Sequence, residues 1–134
     1  MARISDIEGI GPTYAEKLKS AGISNTDQLL ENGGSAKGRK EIAKASGLTE
    51  KQILEWVNRA DLIRIKGVGS EYADLLECCG VDTVPELKNR SAKNLHAKMV
   101  EVNEKKKLVR KVPTESQVTD WVAQAKTLKR AVNY

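Results

Sequence analysis

A Gly-apolar-Gly turn occurs twice in this chain, 58 residues apart, as Gly9-Ile10-Gly11 and Gly67-Val68-Gly69. The register continues without a gap through Tyr14/Tyr72, Ala15/Ala73, Leu18/Leu76, Gly22/Gly80, Ile23/Val81 and Leu29/Leu87. Such internal self-similarity predicts two copies of one supersecondary unit, with residues 1–63 as the first repeat and 64–134 as the second. Each copy is near the lower size limit for an independent core.

The signals around the turns are helical. Ser5, with Glu8 three residues on, predicts a one- or two-turn helix before Gly9. Pro12 suits the first position of the next helix, where its missing N–H costs nothing, and Gly22 suits a left-handed stop. Asn25 or Ser24 is expected to cap a helix ending at Gly33-Gly34, and Ser35 a helix ending near Ser46 and Gly47. Thr49-Glu50-Lys51-Gln52 is a capping box opening a longer helix, with Ile53, Trp56, Val57 and Ala60 along one face. The second copy repeats the order. Thr83 or Asp82 caps residues 84–88, Ser91 caps a helix from Ala92 to about Asn103, and Thr114-Glu115-Ser116-Gln117 is a second capping box. There the register shifts from 58 to 65, because the second copy has extra residues across 104–113, its basic insertion. No alternating β-branched segment occurs, so the predicted class is all-α.

Composition narrows the partners. The net charge is +5, and all of it lies in residues 64–134, with fourteen basic and nine acidic side chains against nine and nine in residues 1–63. Lys105, Lys106, Lys107, Arg110 and Lys111 form the densest cluster, inside the insertion that the repeat does not require. A basic patch of this kind favours an anionic partner. No stretch approaches the length of a membrane span, and no apolar signal core follows Arg3, Asp6 and Glu8, so a cytoplasmic protein is expected. Cys78 and Cys79 are adjacent, lack zinc spacing and read as reduced packing residues. Trp56 and Trp121 read as core, and Tyr14 and Tyr72 as packing against a neighbouring helix. His96 stands alone. No metal cluster, nucleophile–base pair or nucleotide fingerprint is found, which predicts a non-enzymatic protein without cofactor or small-molecule substrate.

The turns themselves carry the candidate chemistry. A glycine turn opening a helix presents bare backbone N–H groups at a positive helix end, which suits a phosphate. In the first copy Gly9, Gly11 and Thr13 would surround the phosphate, with Lys17 reaching a flanking one. In the second, Lys66, Gly67, Gly69 and the hydroxyl of Ser70 take those places. Glycine tolerates unusual φ and has no Cβ to hold a ligand away, although a tight helix–helix turn needs both glycines even if nothing ever binds it. Glu8 and Glu16 beside the first turn, and Glu71, Asp74 and Glu77 after the second, oppose anion binding.

The segment Gly9–Gly22, with the helices begun at Asn25, Ser35 and Thr49, resembles the N-terminal helical domain of archaeal RadA-type recombinases and the helix-hairpin-helix modules of DNA repair enzymes. The doubled arrangement, with Trp56 and Trp121 at matching places, resembles an uncharacterised bacterial family of unknown function. These resemblances imply two helix-hairpin-helix repeats in a SAM-like bundle that binds double-stranded DNA through its backbone without reading sequence. The alternative is a protein-interaction adaptor whose hairpins are purely structural. Phosphate hairpins commonly carry Lys or Arg just after the second glycine. Here Pro12-Thr13 and Ser70-Glu71 stand there.

Overall fold

The computed structural model describes residues 3–7 and 9–133. Among them the secondary structure is helical, with no strand beyond an isolated bridge between Arg3 and Asn25. The protein is therefore all-α. A short 3-10 helix, Ile4–Asp6, precedes α1 (Pro12–Ser20), α2 (Thr26–Gly33), α3 (Ala36–Ser46), α4 (Glu50–Ile63), α5 (Ser70–Cys78), α6 (Val84–Lys88), α7 (Ala92–Lys106) and α8 (Glu115–Thr127). The chain divides into two compact units, Met1–Asp61 together with Ala131–Tyr134, and Leu62–Arg130. Residues 131–133 thus fall in the first unit.

Local capping accounts for most helix starts. Asn25 accepts from the Gln28 amide at 2.8 Å, and Ser35 from Gly38 at 3.0 Å. Ser91 caps α7 through a longer 3.5 Å contact with the Asn94 amide. Both Thr-Gln boxes close reciprocally: Thr49 with Gln52 at 3.1 and 3.2 Å, and Thr114 with Gln117 at 3.1 and 2.8 Å. α1 and α5 end alike. Gly22 (φ +86°) and Gly80 (φ +89°) are left-handed. Ile23 donates back to Leu18 and Val81 to Leu76, each at 2.9 Å, and all four side chains are buried. These are Schellman stops.

Three expectations are corrected. The 3-10 helix is started by Arg3, whose amide bonds Asp6 at 3.1 Å, and not by Ser5; Glu8 lies outside the described residues. α6 begins after Thr83 without a side-chain cap, and Pro85 in its first turn has no N–H to satisfy. α7 runs on past Asn103 to Lys106, so Lys105 and Lys106 are helical.

In each unit a tryptophan sits beneath the glycine turn. Trp56 is 6% exposed, and its ring centroid lies 5.3 Å from that of Tyr14. Trp121 is 2% exposed and lies 5.3 Å from Tyr72. Around Trp121 the second core gathers Leu76, Val81, Leu87, Leu95, Met99 and Val118. Without phenylalanine, aliphatic side chains fill these interiors and the indoles supply the bulk.

Candidate nucleic-acid interface

The two glycines of each turn differ in what demands them. Gly9 and Gly67 have φ of +91° and +98°, a region that side-chain-bearing residues rarely adopt. A Cβ at Gly67 would also come 2.9 Å from Trp121 Nε1, and one at Gly9 3.7 Å from Trp56 Nε1. These first glycines are explained by the fold. Gly11 and Gly69 are not. They are helix N-caps in extended conformation, with φ of −84° and −101°, and a Cβ on either would meet nothing within 4 Å. The expectation that a tight turn needs both glycines is therefore corrected: it needs only the first.

The N-caps also leave donors open. Gly11 and Gly69 offer no side-chain oxygen to the first turn of α1 or α5. Among the described residues, no acceptor meets the amides of Gly11, Thr13 and Tyr14 in the first unit, or those of Gly67, Gly69, Ser70, Glu71 and Tyr72 in the second. Gly11, Thr13, Gly67 and Gly69 are exposed. A serine or aspartate at the cap would have satisfied these amides within the chain. Glycine leaves them to solvent or to a ligand, at the positive end of each helix.

Lys17 is exposed midway along α1. Lys66 is exposed too, but its backbone is held at both ends by Gln124, whose Oε1 accepts from the Lys66 amide at 2.9 Å while Nε2 donates to its carbonyl at 3.1 Å. Asp120 accepts from the same Nε2 at 2.9 Å. Beside them lies a groove of about 480 Å³ whose lining includes Arg64 and Lys66. Ser70 departs from its expected role: its Oγ is buried without a hydrogen-bond partner, so the hydroxyl does not face a ligand at the turn.

The basic insertion is ordered by three hydrogen bonds. Asn103 brackets Val109, accepting from its amide at 3.0 Å and donating to its carbonyl at 3.1 Å, and Val109 is buried. Lys107 turns the chain at the end of α7 with φ of +51°, the one non-glycine positive φ among the described residues. The Tyr72 hydroxyl then donates to the Lys111 carbonyl at 3.0 Å. Tyr72 lies in the first turn of α5, so its hydroxyl ties the segment bearing Arg110 and Lys111 to that helix. All five basic side chains are exposed. Lys105 stands 3.8 Å from Glu101 in an exposed pair, and Lys106 Nζ lies 3.9 Å from Cys78 Sγ.

Gln124 carried no sequence signal, because a lone glutamine on an exposed helix face has no periodicity to mark it. Its place in the first copy is held by Arg59. Among the described residues no group of three His, Cys, Asp or Glu could hold a metal. Cys78 and Cys79 are free thiols, and burial, then the neighbouring Cys78, pushes Cys79 up to about 11. No helix is long and apolar enough to cross a membrane among the described residues.

Fold and turns together define an all-α protein with two helix-opening glycine turns and an ordered basic segment tied to the helix that follows the second. The chain belongs to the family described as a domain of unknown function (DUF4332), which matches residues 8–128. No curated protein and no solved structure matches it.

Proposed function

We propose that this chain is a non-enzymatic binder of double-stranded DNA that grips the phosphate backbone without reading bases. In this reading the turns are helix-hairpin-helix elements of the kind found in DNA repair proteins and in the N-terminal domain of RadA-type recombinases. The observation that carries it is the pair Gly11 and Gly69: neither φ nor packing asks for glycine there, yet both copies have it, over amides without internal acceptors. A backbone that must approach a phosphate closely supplies the missing reason. In the second unit Arg110 and Lys111 add charge on a segment tied to α5 through Tyr72. In the first, Thr13 and Lys17 are the accessible groups. Backbone and lysine contacts of this kind give micromolar, salt-sensitive affinity.

A protein-interaction adaptor is the second reading, favoured by the acids of α5, of which Glu71 and Glu77 are exposed on the helix that follows the second turn. Anisotropy titrations of double- and single-stranded DNA at low and moderate salt separate the two. The proposal expects duplex binding that weakens at least tenfold in Gly11→Val/Gly69→Val with the circular dichroism unchanged. Equal binding by that folded double variant removes the hairpin mechanism, and no binding by the wild type favours the adaptor.

A further inference from the structure

A third glycine is as unexplained by local backbone as Gly11 and Gly69, and it sits far from the turns. Gly34 follows α2 with φ of −65° and ψ of −29°, an ordinary helical conformation that any residue adopts. Glycine there is costly to helical order by up to about 1 kcal/mol relative to alanine. The reason lies almost a hundred residues away. A Cβ on Gly34 would collide with the carbonyl oxygen of Ala131, the tightest of its contacts, and would also come 2.9 Å from that of Leu30 at the end of α2.

Residues 131–133 lie over the corner between α2 and α3 and are held by their main chain. The Asn133 amide donates to the Gly34 carbonyl at 2.7 Å, and the Asn133 carbonyl accepts from Arg39 Nη2 at 2.6 Å. Arg39 Nη1 donates to the carbonyls of Gly33 and Gly34 at 2.9 and 3.1 Å, which aims the guanidinium at the segment. Arg39 is only 5% exposed, unusual for a residue that normally stands in solvent. Between these polar contacts Val132 is 1% exposed and acts as an apolar anchor. A buried arginine, a glycine whose φ any residue could adopt and a buried valine meet in these three residues.

We infer that the α2–α3 corner of the first unit is a receptor for a short extended peptide, reading main chain through Gly34 and Arg39 and one small apolar side chain through a pocket, and that residues 131–133 fill it in cis. The recognition follows the logic of main-chain peptide capture, where backbone bonds give affinity and a pocket gives selectivity. Three residues provide little intrinsic affinity. Tethering within the chain keeps them bound, because the local concentration of a linked segment is in the millimolar range. A chain whose own segment cannot dock therefore accepts the same segment from solution.

The test uses the full chain with Val132→Asp, and a fluorescent peptide of residues 128–134 as probe. The peptide is expected to bind V132D at least tenfold more tightly than the wild type, whose receptor is occupied, and to lose that binding in Gly34→Leu/Val132→Asp. Equal peptide binding by wild type and a folded V132D overturns the inference. If V132D does not fold, hydrogen exchange of the wild type decides: the Asn133 amide is expected to exchange at least tenfold more slowly than in the free peptide. Exchange at the free-peptide rate overturns it. A concentration-dependent wild-type dimer that V132D abolishes overturns the cis assignment, since the segment would then come from a second copy. None of these outcomes depends on DNA binding.

Discussion

The hydroxyl of Tyr72 donates to the carbonyl of Lys111 at 3.0 Å, across 39 residues of sequence. That bond joins the first turn of α5, with its open amides, to the most basic segment of the chain. Tyr14 matches Tyr72 in sequence and in its tryptophan contact, but the first unit has no basic insertion to fasten.

Tyr72→Phe keeps the ring on Trp121 and removes only the hydroxyl. It is expected to cost about 0.5–1.5 kcal/mol in urea unfolding, the usual net worth of one hydrogen bond. Affinity for duplex DNA is expected to fall several-fold, because the segment bearing Arg110 and Lys111 is no longer tied to α5. Unchanged affinity in the presence of measurable destabilisation separates the basic segment from the binding site.

Gly67 and Gly69 are two residues apart and should respond differently to alanine. At Gly67 the positive φ and the 2.9 Å approach to Trp121 Nε1 make Gly67→Ala destabilising by about 1–3 kcal/mol. Gly69→Ala enters open space in an extended conformation. Its gain from a stiffer unfolded chain roughly offsets the poorer alanine cap, so its stability is expected to stay within about 0.5 kcal/mol. Chemical denaturation of both variants checks the contrast, and a large loss at Gly69 would assign that glycine to the fold.

Salt sensitivity should track the fastened cations. Three to five neutralised phosphates give a slope of log K against log salt of roughly −3 to −4. Replacing Arg110 and Lys111 with serine is expected to flatten that slope by about 1–2. Replacing Lys105 and Lys106 should do less, since these stand beside Glu101 and Cys78 on α7. The reverse ranking would move the site onto the end of α7.

Cys79 predicts an alkaline signature. Burial raises its thiol from 9.0 to about 11. Between those values the unfolded chain has lost the proton while the folded one keeps it, so the contribution to stability falls as pH rises from about 9 to about 11. Melting temperature should therefore decline more steeply over that window in the wild type than in Cys79→Ala. Parallel curves would show that the thiol ionises equally in both states.

Much of the helical framework was legible because its causes are local. The Thr49–Gln52 and Thr114–Gln117 boxes, the Asn25 and Ser35 caps, Pro12 at a helix start and the left-handed stop at Gly22 each depend on residues within one or two turns. Trp56 and Trp121 were readable as core from helical spacing. Where several local signals competed, the reading was looser: Ser5 resembled a cap, but the Arg3–Asp6 contact took that role.

Other features depended on residues that meet only after folding. Asn103 lengthens α7 and orders the basic segment because Val109 finds a buried place, which no helix propensity encodes. Ser70 turned its hydroxyl inward although its neighbours advertised a surface turn. The different roles of the paired glycines emerged only once Trp56 and Trp121 lay beneath the first of each pair. Gly34 read only as part of a helix stop, and Arg39 carried no signal of its own, until residues 131–133 returned to them. Capping and turn preferences are short-range energies written in neighbouring residues. Burial, and the choice of which distant carbonyl an arginine or tyrosine reaches, is settled by close packing between segments far apart in the chain.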